Sequence, residues 1–170
     1  MTRGKRQRVE RGKLINASTP LYGYTQSKET SARTIKPNEA KIVRRVWDLA
    51  ASGIGMRSIA QKLNAEGIPS PASDKRDYKD GRSPLWEKSS IQRILREPAY
   101  SGLSVAYRWQ RIKEPGKPVR VIEAPREKWI ILSDELTPAI VTPEEFDRMQ
   151  ELVAGRSTGD AKRNESRPAL

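Results

Sequence analysis

The chain has 170 residues and a mass of 19.2 kDa, enough for one ordinary domain with tails. Lys+Arg number 33 against 21 Asp+Glu, a formal charge of +12, which points to a polyanionic partner. Histidine and cysteine are both absent, which excludes disulfides, thiolate nucleophiles, imidazole bases and every His- or Cys-ligated metal site; oxygen-ligand chemistry survives, but no cofactor and no metal is expected.

In chain order, residues 1–16 read as a basic linker. Six cations (Arg3, Lys5, Arg6, Arg8, Arg11, Lys13) face the single anion Glu10 over residues 1–13, and this stretch offers little to bury. Pro37 then suits a first helical turn, with Val43, Val46, Trp47 and Ala50 recurring at i, i+3, i+4 and i+7 until Gly53. A second helix is predicted from about Met56 to Glu66, with Ile59, Ala60 and Leu63 on one face and Gly67 as its stop. Residues 72–84 are polar and rich in turn formers, and read as a long exposed loop.

A third helix is predicted from about Glu87 to Arg96, ended by Glu97-Pro98 because a residue before proline disfavours the α conformation. If Ile91, Ile94 and Leu95 face inward, the outward row is Ser89, Gln92, Arg93 and Arg96, with Lys88 on the flank. Strand formers follow over residues 100–112, 119–122 and 129–132, the first two separated by a turn over 113–118, which suggests a small antiparallel sheet or wing. Thr142-Pro143-Glu144-Glu145 has the capping-box form, and Phe146, Met149 and Val153 supply the stripe of a last helix. Residues 156–170 lack large apolar side chains and read as a flexible tail. Residues 129–155 carry six carboxylates against Arg148 alone, so this surface should turn away from the polyanion.

The fold class expected is therefore mostly helical α+β, with a helix-turn-helix unit and a small antiparallel sheet over residues 17–155. An α-helix fits the DNA major groove, where Arg can bond guanine and Gln adenine in bidentate fashion. Ser89, Gln92, Arg93, Arg96 and Lys88 are the candidates for base or near-base contacts. Arg3, Lys5, Arg6, Arg8, Lys75, Arg76, Lys79, Arg82, Arg108 and Arg111 are assigned to phosphates. Trp47, Phe146 and Met149 are read as core and Tyr22 and Tyr24 as packing residues, while Trp86 is ambiguous, either an anchor packed under the third helix or a DNA-facing side chain. The Glu144 and Glu145 pair fits a helix N-terminus better than a metal site. No serine has a base partner, so none is a credible nucleophile.

Three runs of residues resemble a known family when taken together. They are Pro20-Leu21-Tyr22-Gly23-Tyr24; Pro37-Asn38-Glu39-Ala40 with Ile42, Val43 and Trp47; and Ser58 to Pro71, with Ile59, Ala60 and Leu63. Trp86, Ser90 to Leu95, Pro98-Ala99-Tyr100-Ser101-Gly102 and Pro138 to Phe146 continue the series in order. The whole, over about residues 11 to 155, resembles the recombinase domain of large serine recombinases, the phage-type serine integrases and related transposases. The resemblance implies that this domain binds half of an attachment site on double-stranded DNA. It also implies a resolvase-like domain with the catalytic serine before it, joined by a long helix that would end near Gly12, and a cysteine-bearing zinc ribbon after it. Neither is expected within this chain, so the fragment itself is expected to bind and not to catalyse. Its parent would be dimeric to tetrameric on DNA, and the isolated piece monomeric and cytoplasmic, without membrane association. Two other readings of the basic charge remain: a stand-alone winged-helix transcription regulator, and a structured-RNA-binding protein.

Overall fold

The computed structural model describes residues 3–14, 21–71, 73 and 85–165, with the side chains of residues 3, 5 and 156–165 outside that description. Helix α2 (Pro37–Ala51) starts on its proline, and Val43, Val46, Trp47 and Ala50 are buried, as their spacing requires. Gly53 takes a left-handed conformation (φ +91°), and the Ile54 amide bonds back to the Leu49 carbonyl at 3.1 Å, which turns the chain sharply into α3 (Met56–Ala65). Ile59, Ala60 and Leu63 of α3 and Ile91, Ile94 and Leu95 of α4 (Lys88–Arg96) meet in the same core. Its far side is closed by Phe146, Met149 and Val153 of α5 (Pro143–Glu165). The capping box is formed: the Thr142 amide donates to Glu145 Oε2 at 2.8 Å, and the Glu145 amide donates to Thr142 Oγ1 at 3.2 Å.

Five features add detail to the sequence reading. The basic N-terminal segment does bury apolar surface: α1 (Arg3–Glu10) is followed by a turn with Gly12 in a left-handed conformation, and Val9 and Leu14 pack with Ala106 and Leu132. The spacing between Val9 and Leu14 is not helical, because a turn separates them, so no periodicity advertises the pair. Residues 21–36, whose sequence carries no strand signal, hold a hairpin, β1 (Tyr24–Gln26) paired antiparallel with β2 (Arg33–Ile35). Strands of three residues are too short to show alternation.

Tyr100 is not on a strand. It sits in a 3-10 turn (Pro98–Ser101), fully buried, with its hydroxyl donating to the Tyr22 carbonyl at 2.8 Å. The expected small antiparallel pairing is present over the later strands, as two two-stranded ribbons. β3 (Val105–Ala106) pairs with β6 (Ile130–Ile131), and β4 (Trp109–Ile112) pairs with β5 (Arg120–Glu123). Finally, the backbone of α5 is helical to Glu165, through ten residues of the stretch whose composition reads as a tail. A helix already nucleated by its capping box and packed stripe propagates at little further cost.

Candidate nucleic-acid interface

Helix α4 is held on its inner face and at both ends. At the N-terminal end the Asn64 side chain of α3 brackets the Trp86 peptide units, its Nδ2 donating to the Trp86 carbonyl at 2.9 Å and its Oδ1 accepting from the Trp86 amide at 2.8 Å. The Trp86 indole is buried, donates to the Ile68 carbonyl at 2.9 Å, and meets Tyr22 edge-on at 5.3 Å. Of the two readings the sequence left open, the structure shows the packed anchor. At the C-terminal end, where carbonyls lack helical partners, Gln150 of α5 donates to Leu95 O at 2.8 Å and Arg108 donates to Arg96 O at 2.7 Å.

What this mounting leaves outside is the row Lys88, Ser89, Gln92, Arg93 and Arg96. Lys88, Ser89 and Arg93 are exposed, and Gln92 and Arg96 are half-buried. Ser89 Oγ lies 3.2 Å from Glu87 Oε2, so its hydroxyl is occupied by a neighbour in the free protein. From Ser89 to Arg96 the row runs about 10.5 Å along the helix at 1.5 Å per residue. A groove of about 590 Å³ separates the first turns of α4 from α3, lined by Arg57, Gln61, Lys88, Ser89 and Gln92 over Trp86. Sequence reasoning missed Arg57 and Gln61. Their signal was available, since they stand at i and i+4 on the face of α3 opposite Ile59 and Leu63.

The remaining cations divide. Arg111 is exposed on β4 and Arg6 is exposed on α1, where it pairs with Glu10 at 3.1 Å. Two of the cations assigned to phosphates make contacts within the chain. Arg8 turns inward, Nε donating to the Leu14 carbonyl at 2.9 Å and Nη2 to Ser31 Oγ at 2.7 Å, which fastens α1 to the first hairpin. Arg108 is only 8% exposed, its guanidinium divided among Arg96 O, Glu97 and Glu123. Both guanidinium groups donate to carbonyl, hydroxyl and carboxylate acceptors of the chain itself. Lys75, Arg76, Lys79 and Arg82 lie outside the described residues, as do the side chains of Arg3 and Lys5.

On another part of the surface, Arg44 of α2 clasps Glu145 at the start of α5, Nη1 to Oε2 at 2.8 Å. That hydrogen bond and the Thr142 amide hold the Glu145 carboxyl down at about 2. Among the described residues no group of three or more Asp or Glu side chains is placed to hold a metal ion, and no helix is long and apolar enough to cross a membrane.

The described residues form a small α+β domain in which the short basic helix α4 packs on α2, α3 and α5. The Recombinase family model matches residues 37–156, and the chain belongs to that family. It is 28% identical over 160 residues to a putative DNA recombinase of Bacillus subtilis (strain 168), a match over 88% of this chain and 29% of that protein. Among solved structures, its fold is similar to a chain in a crystal structure of an LSR–DNA complex, with a TM-score of 0.57, 17% identity, and coverage of 91% of this chain and 37% of that one. A chain from work on the sequence requirements of the Listeria innocua prophage attP site gives a TM-score of 0.54 at 17% identity, over 89% of this chain and 49% of that one. The chain thus spans less than half the length of each of these relatives.

Proposed function

We propose that this chain binds double-stranded DNA at one half of a recombination attachment site, as the sequence-reading module of a site-specific serine recombinase. The observation that carries the reading is the mounting of α4. Its ends and inner face are consumed by the fold, while a row of Lys, Ser, Gln and two Arg faces outward with the length and chemistry of a major-groove edge. In this reading α3 and α4 form the helix-turn-helix, and α4 enters the major groove. Gln92, Arg93 and Arg96 address base edges, with Ser89 and Lys88 beside them, while Arg6, Arg111 and the cations of residues 72–84 meet phosphates. The kinship with recombinases and the likeness to chains solved with DNA or studied for an attachment site support the choice of partner. The chain supplies affinity and register, and cutting and rejoining belong to a catalytic domain of the parent.

The test is selection from random duplexes, followed by fluorescence-anisotropy titration of the winner and of a scrambled duplex across salt. The expected result is a non-palindromic site preferred about tenfold or more over the scramble, with Arg93→Ala flattening the preference. Equal binding of both duplexes with equal salt slopes refutes the assignment of α4. A palindromic winner bound by a species near twice 19.2 kDa indicates the transcription-regulator reading instead, and stronger competition by structured RNA indicates the RNA reading.

A further inference from the structure

The β4–β5 ribbon is an exposed lever fastened at its base. Its two strands pair with each other, and among the described residues no helix packs extensively against either. Every side chain of β5 is exposed, and Trp109 at the start of β4 is 53% exposed. The ribbon and its turn, residues 109–123, carry Arg111, Lys113, Lys117 and Arg120 against Glu114 and Glu123, a net charge of +2, with Lys117 and Arg120 both donating to Glu114 at 2.7 and 3.0 Å.

The fastening is Arg108. Nη2 donates to Arg96 O (2.7 Å) and Nη1 to Glu97 Oε2 (3.2 Å), both at the C-terminal end of α4, while Nε donates to Glu123 Oε1 (2.8 Å) at the end of β5. The guanidinium carbon sits 5.2 Å from the Trp109 ring centroid and 5.4 Å from that of Trp129. The Ala124 amide closes the base of the ribbon by donating to the Arg108 carbonyl at 2.8 Å. The guanidinium spreads its donors over three nitrogens in a plane, and so reaches acceptors spaced further apart than the single nitrogen of lysine can.

We infer that Arg108 is a positioning residue that ties the aim of the β4–β5 ribbon to helix α4, so that the ribbon cations meet the DNA phosphates flanking the groove α4 occupies. This rests on the proposed binding of α4 to duplex DNA. The lever arm explains why one clamp matters: four residues from Arg108 to Ile112, at about 3.3 Å each, place the end of β4 about 13 Å from the pivot. A rotation of about 20° at the base then moves that end by about 4.6 Å, more than the length of a hydrogen bond. Arg108 itself is spent internally and touches no phosphate.

The test uses the whole chain with the selected duplex and its scramble, reading the slope of log affinity against log salt together with the preference ratio. The variant R111Q/K113Q/R120Q should flatten the slope by about 2.7, at about 0.9 for each phosphate no longer neutralised. R108Q/E123Q keeps the net charge yet should flatten the slope comparably, the two sets combined should add little, and R108K should not restore it. The preference ratio should stay near the wild-type value, because it belongs to α4. E123A is the sharpest case and a mild one for folding, since its side chain is 42% exposed. It raises the net charge by one, which by charge alone strengthens binding, whereas loss of the clamp predicts weaker binding and a flatter slope.

Wild-type slopes in R108Q/E123Q and E123A, no change in slope in the ribbon variant, or an equal cost of ribbon neutralisation with and without the clamp each overturn the inference. A wild-type preference ratio near one instead defeats the α4 reading, and the slopes still report on the ribbon.

Discussion

Asn64 offers the most direct test of how the fold aims α4. Its carboxamide makes two hydrogen bonds to the main chain of Trp86, at 2.9 and 2.8 Å, and so fixes the start of α4 against the end of α3. Asn64→Ala removes both. At about 1 kcal/mol each, with more where the Trp86 amide and carbonyl are left dry, the loss should be about 2 to 4 kcal/mol. For a chain of this size, 2 kcal/mol corresponds to a Tm lower by roughly 4 to 8 °C.

Asn64→Asp separates hydrogen bonding from packing, because the side chains are isosteric. The introduced carboxylate, when ionised, still accepts from the Trp86 amide but sets its second oxygen against the Trp86 carbonyl, so its folded-state pKa must lie above its unfolded value. Once protonated, the same carboxyl donates as the carboxamide does. A group whose folded pKa is raised contributes stability that is present below the unfolded pKa and lost as pH rises through the folded pKa. The penalty of Asn64→Asp relative to wild type should therefore be small at acidic pH, below the ordinary carboxyl range of about 4, and grow as pH rises toward neutral. Urea denaturation with an unchanged m-value is the assay. A loss below about 0.5 kcal/mol for Asn64→Ala, or a pH-independent penalty for Asn64→Asp, refutes the view that these two bonds set the helix, since both fall short of the typical hydrogen-bond contribution.

Two further outcomes follow from named contacts. Glu145 is held at about 2 by its bond to Arg44 and by the Thr142 amide, well below its ordinary value of 4.5. Its contribution is therefore complete above about 4.5 and lost as pH falls toward 2. Because the pair is more than one-third exposed, Glu145→Gln should cost only about 1 kcal/mol at neutral pH, a difference that vanishes near pH 2 in denaturation curves. Arg8→Ala leaves the fully buried Ser31 hydroxyl and the Leu14 carbonyl without their guanidinium donor, and should cost about 1 to 3 kcal/mol. Amide exchange over residues 3–14 and 27–33 should quicken while that of α2 and α3 stays unchanged, and uniform protection in the variant would show that α1 is held by Val9 and Leu14 alone.

Helices α2, α3 and α4 were legible in the sequence because each combines a 3.6-residue apolar period with an explicit stop, namely Gly53, Gly67 or Glu97-Pro98. Since the inner face of α4 is Ile91, Ile94 and Leu95, its outward row is determined by the same periodicity, and the candidate reading face needed no coordinates. The family resemblance, too, rested on the order of motifs alone. Tertiary structure decided which cations are available. Arg8 and Arg108 look in the sequence like Arg6 and Arg111, members of basic runs, because a local run of charge carries no record of distant acceptors. Arg8 is consumed by Ser31, 23 residues away, and Arg108 by Glu97 and Glu123, 11 and 15 residues away. The short ribbons were likewise decided by partners across space, since strands of two to four residues have no period to read and gain their stability only from pairing and from what they pack upon.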